Sequence, residues 1–172
     1  MSSGFRGTGA LRVSARNVAL LLFAIAMGWL EAVVVIYIRT LIGIAHSATL
    51  PGGTQILSLL RENPWLLPTE QSREIATLMM LGAVGLLFGY NARTRWGAFL
   101  IAFGLWDISY YAALRLMIGW PRSLSSVDCL FLIPPTTLWN QPVWVPMAIS
   151  ALLIWGGVRL QQEKPRRYGR AR

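Results

Sequence analysis

The sequence predicts an all-α membrane protein: a four-transmembrane-helix bundle forming a single domain over residues 1–172. Three observations predict it. Hydrophobic residues make up 55% of the chain and charged residues only 13%, too few to coat a soluble globule of 172 residues. Four apolar runs of near-spanning length stand at about 18–38, 75–90, 97–117 and 143–160. The basic residues gather beside alternate ends of those runs, as the positive-inside rule requires of a polytopic chain.

The first run follows Arg6, Arg12 and Arg16 and continues to Ile38. It superficially resembles a signal peptide, but its length is about twice that of an ordinary apolar signal core and no small-residue cleavage site follows. It therefore reads as a retained helix. After Leu50-Pro51-Gly52-Gly53, the spacing of Ile56, Leu59 and Leu60 predicts a short amphipathic helix on the outer surface, with Trp65 at the interface.

The second run has 16 residues and needs its flanks or a thinned bilayer to span. Glu74 stands at its start, where a helix dipole favours an acid, and Gly82, Gly85 and Gly89 offer small surfaces for close helix approach or dimerisation. The third run, of 21 residues, places Asp107, Tyr111 and Arg115 on one stripe. The apolar stretch from Cys129 to Pro135 is too short to span and is predicted to be re-entrant or to lie as a lid across the helix ends. Pro146 in the first turn of the fourth helix is harmless, because nitrogens there have no helical partner. A basic tail fills 161–172.

Arg6, Arg12, Arg16, Arg93, Arg95, Arg159, Lys164, Arg166, Arg167, Arg170 and Arg172 fall on one side of this arrangement, while Arg61, Arg73 and Arg122 fall on the other. Both termini are then cytoplasmic (N-in/C-in) and the two longer loops face outward. The location implied is the bacterial cytoplasmic (inner) membrane, multi-pass, with membrane lipids as partners.

Several functional classes drop out. The net charge of +9 does not point to nucleic acid, because the basic residues flank apolar runs instead of lining one face. Cys129 and His46 are the only residues of their kinds, so a cysteine metal site, an intrachain disulfide, a zinc helix with two histidines and a bis-histidine haem are not available. No metal or cofactor is predicted.

The buried charges carry the functional information. An acid deep in a spanning helix costs about 2.5–3.5 kcal/mol on insertion scales, and Glu31 and Asp107 both stand at such positions. At ~1.5 Å per residue they lie about 20 and 15 Å from the cytoplasmic ends of their helices, so the two are expected in one layer, sharing one site. Each is followed eight residues later by an arginine, Arg39 and Arg115, and one of these is expected to reach a carboxylate. Glu31, Asp107, Tyr111, Arg115, Arg39 and Glu74 are the candidate ligand- or proton-binding residues.

The segments Arg73-Glu74-Ile75-Ala76-Thr77, Trp106-Asp107-Ile108-Ser109-Tyr110-Tyr111, Gly119-Trp120-Pro121 and Leu130-Phe131-Leu132-Ile133-Pro134 resemble an uncharacterised group of small bacterial four-helix integral membrane proteins, over about residues 31–146. That group has no assigned activity, so the resemblance implies the architecture and no reaction. The leading functional expectation is a transport, ligand-binding or accessory membrane subunit, working as a homo-oligomer or with a partner subunit. The rivals are an enzyme acting on a lipid or isoprenoid by carboxylate acid/base chemistry, and a purely structural subunit.

Overall fold

The computed structural model describes residues 15–41, 62–129 and 140–162. Within them lie four helices, α1 (Ala15–Leu41), α2 (Leu66–Phe88), α3 (Ala92–Ile118) and α4 (Trp144–Gln162), and two short strands, β1 (Val127–Cys129) and β2 (Asn140–Pro142). The apolar runs read from the sequence form the bodies of these helices, and α1 and α3 are each long and apolar enough to cross a membrane. The expected amphipathic segment around Ile56, Leu59 and Leu60, and the stretch from Leu130 to Pro135, lie outside the described residues. Cys129 ends β1.

The largest departure from expectation is α2, which begins at Leu66, nine residues before Ile75. Pro68 stands third in the helix, where its missing N–H is not needed, and the Leu66 amide donates to the Asn63 carbonyl at 2.9 Å. Reading hydropathy alone stops at Glu70, Arg73 and Glu74, yet these are good helix formers, and helix formation continues through them. Glu74 is consequently two turns inside the helix, and the expected N-terminal capping role is corrected.

Between α2 and α3 the chain turns in three residues. A Cβ at Gly89 would sit 2.2 Å from the Arg95 nitrogen, so only glycine fits that approach. Asn91 caps α3 by accepting from the Thr94 amide at 2.9 Å, while the Thr94 hydroxyl accepts from the Asn91 amide at 3.1 Å. That reciprocal cap starts α3 five residues before the predicted Gly97. At the other end Gly119 adopts the left-handed conformation at φ 70° and its amide returns to the Arg115 carbonyl at 3.1 Å.

Strands β1 and β2 pair antiparallel, with Asp128 opposite Gln141. The Val143 and Trp144 amides donate to the carbonyls of Ser126 and Leu124, both at 2.9 Å, fixing the start of α4 beside the end of α3.

Helix α3 is central and packs against the other three, whereas α1 and α2 meet each other little. Its contact with α4 is close because Gly97 and Gly104 face Gly157 and Ser150; a Cβ at Gly104 would fall 2.5 Å from the Ser150 carbonyl oxygen. Gly28 brings α1 equally near to Trp106 and Ser109. Gly85 and Gly89 likewise meet α3, while Gly82 faces open space. One apolar cluster centres on Ala24, Leu81, Ala98 and Trp106, and a second on Tyr111, Leu114, Trp120 and Val143 at the hairpin end. Outward, the helices present Leu22, Leu30, Leu86, Leu87, Leu116 and Leu152, all largely exposed. Thr77, Asp107 and Ser150 are buried among the helices instead.

Candidate functional site

Glu31 sits in the fifth turn of α1, the most apolar of the described helices, and its partner comes from α2. On α2 the residues Glu70, Arg73, Glu74 and Thr77 follow at spacings of three and four, which puts them on one face. Arg73 uses that position to hold two acids at once. Its Nη1 donates to Glu31 Oε1, its Nη2 to Glu70 Oε1, and its Nε to Glu70 Oε2 at 2.8 Å. The planar fork matches Glu70 bidentately and has a remaining edge for Glu31. Thr77 adds a longer donation to Glu31 Oε2 at 3.4 Å. Burial disfavours the charge of Arg73, and the two carboxylates it holds offset that cost.

Asp107 faces a different neighbour. It is 9% exposed, and its Oδ2 accepts from the Ser150 hydroxyl of α4 at 2.7 Å. Among the described residues no cation pairs with it. Glu31 and Asp107 therefore have no hydrogen-bond partner in common. One is turned toward α2 and the other toward α4, with α3 carrying Asp107 on the face that packs against Gly157 and Ser150.

Tyr111, one turn beyond Asp107, donates to Asp128 Oδ2 of β1 at 3.0 Å and anchors the hairpin to the bundle. Tyr110 stacks edge-on against Tyr111 at 4.9 Å.

Among the described residues, neither arginine expected to reach an acid pairs with one. Arg115 is exposed and donates to the carbonyls of Gly119 and Pro121 at 2.8 and 2.9 Å, closing the end of α3. A helix C-terminus offers unsatisfied carbonyls to a nearby cation, and the turn after Gly119 presents them within one side-chain length. Arg39 is buried and lies over the Trp120 ring, 4.2 Å from its centroid. Glu74 is half-buried on the same face of α2 as Glu70. Sequence reasoning missed Arg73, Glu70, Thr77, Ser150, Asp128 and Trp120 as participants. The spacing of Glu70, Arg73, Glu74 and Thr77 was the available signal for the first three, since a polar stripe on a helix of otherwise apolar character needs a polar partner.

No family model, curated protein or solved structure matches the chain.

Proposed function

We propose that this chain is a multi-pass membrane protein, with four spanning helices and both ends cytoplasmic, that binds a cation or a proton at the Glu31, Glu70 and Arg73 cluster as a transport or ligand-binding subunit. The observation that carries this reading is the composition of the cluster. Two carboxylates share one guanidinium, so with all three groups ionised the cluster holds one net negative charge at the side of an apolar helix. A proton or a small cation would neutralise it in a setting where bulk water cannot. The exposed leucines of α1, α2, α3 and α4 support the membrane setting, because a water-facing surface of that kind would aggregate.

The test uses the full chain in phosphatidylcholine nanodiscs, with melting temperature followed against pH and against sodium, potassium and ethanolammonium. Wild type is expected to show a saturable dependence on one of these, and Glu31→Gln to flatten it. Identical curves for wild type and Glu31→Gln would overturn the assignment.

A further inference from the structure

We propose that Arg39, stacked on Trp120, is the receiving group of a site for an oxyanion, either a phosphate ester or a carboxylate, at the hairpin end of the bundle. Arg39 occupies the last turn of α1 and is only 5% exposed. Its guanidinium lies over Trp120, which is itself buried and leans on Tyr111 at 6.2 Å. That stack engages the flat face of the cation. The five N–H donors lie in the plane of the guanidinium and point outward from its edge, so the ring leaves them unused.

Among the described residues no carboxylate or carbonyl takes those donors. Glu31 and Glu70 bind Arg73, Asp107 accepts from Ser150, and Asp128 accepts from Tyr111. Arginine cannot shed its proton to escape the cost of burial, unlike lysine or histidine. The carbonyls ending α1 favour a nearby positive charge through the helix dipole but do not supply the paired acceptors that the fork presents. An oxyanion does: two of its oxygens match the guanidinium edge in the bidentate arrangement that makes arginine the usual reader of phosphate and carboxylate.

Position fits the same chemistry. Arg39 stands eight residues beyond Glu31 along α1, about 12 Å further toward the hairpin end, at the level where headgroups begin if α1 spans. The inference rests on the membrane reading only for the source of the anion, which is either an anionic lipid headgroup or a soluble phosphate or carboxylate. It is independent of whether Glu31 binds a cation.

The experiment uses the full chain in nanodiscs and two probes. Inorganic phosphate is titrated into pure phosphatidylcholine discs, and separately the phosphatidylglycerol fraction of the discs is raised, with melting temperature and retained lipid by native mass spectrometry as readouts. Wild type, Arg39→Lys and Arg39→Gln are compared, and because all three keep the basic tail, their differences isolate Arg39. The wild type is expected to saturate, Arg39→Gln to raise the midpoint at least tenfold, and Arg39→Lys to fall between. Saturation by phosphatidylglycerol alone assigns the headgroup, and saturation by phosphate assigns a soluble oxyanion. Equal midpoints in wild type and Arg39→Lys overturn the proposal even where Arg39→Gln fails to fold, and so does a wild type that saturates with neither probe. A cation response lost in Glu31→Gln but unchanged in Arg39→Lys would separate this site from the Arg73 cluster.

Discussion

Arg73 on α2 bonds Glu31 on α1 across 42 positions of sequence, joining two helices that otherwise pack on α3 more than on each other. Removing the arginine leaves two acids facing one another without a cation, whereas removing Glu31 leaves Arg73 still held by Glu70. Arg73→Gln is therefore expected to destabilise by about 1–3 kcal/mol, less than the ~3–5 of a fully buried broken pair because both partners keep some exposure. Glu31→Gln should cost less. Unfolding of the single and double mutants in mild detergent checks this: the double mutant is expected to be more stable than the sum of the two losses predicts, and simple additivity would mean that the pair contributes nothing.

The α3–α4 seam offers a second test. A Cβ at Gly104 meets the Ser150 carbonyl at 2.5 Å and Ile154 at 2.7 Å, while nothing stands within 4 Å of one at Gly82 or Gly156. Gly104→Ala should lower stability by about 1–3 kcal/mol through overpacking. Gly82→Ala and Gly156→Ala should be neutral or raise stability by a few tenths of a kcal/mol, since alanine favours the helix. A melting temperature unchanged by Gly104→Ala would show that the helices separate without penalty.

The difference between those glycines was not legible in the sequence, where Gly82, Gly85 and Gly89 looked equivalent. Composition and hydropathy were enough for the helices and their order, because burying apolar stripes is a property of each segment by itself. The starts of α2 and α3 were missed because they depend on Pro68, Asn91 and polar residues that hydropathy counts against a helix. The inward faces of Glu31 and Asp107 follow from the cost of lipid exposure, and both are covered. Their partners do not follow from it. Which helix faces which acid is set by rotation about each axis, and rotation is decided by close contacts such as Gly28 against Ser109 and Gly104 against Ser150. Arg39 and Arg115 were paired with acids on spacing alone, but Trp120 and the carbonyls after Gly119 lay nearer.

Orientation is open to direct measurement. Reporter fusions after Arg95 and after Arg172 should both signal the cytoplasm, and fusions at Gly53 and Ser126 the outside, as the distribution of arginine and lysine requires. A cytoplasmic signal at Gly53 would overturn the arrangement with both ends in the cytoplasm.

The separate surroundings of Glu31 and Asp107 yield the last prediction. Both acids sit in helices apolar enough to span, so Glu31→Gln and Asp107→Asn should leave insertion intact, because each removes a charge that insertion disfavours. Their effects on stability should also be independent. Glu31 exchanges bonds with Arg73 and Thr77 on α2, and Asp107 with Ser150 on α4, so neither substitution alters a group the other uses. Asparagine at 107 retains an oxygen for the Ser150 hydroxyl, while glutamine at 31 loses the charge that Arg73 binds. Residues without shared partners add to within about 0.3–0.5 kcal/mol, whereas members of one network couple by up to about 3 kcal/mol. A double-mutant cycle in detergent is therefore expected to close within the smaller figure. Coupling above about 1 kcal/mol would mean that the two carboxylates act on one ligand or one proton after all, and the cation site would then have to be redrawn to include Asp107.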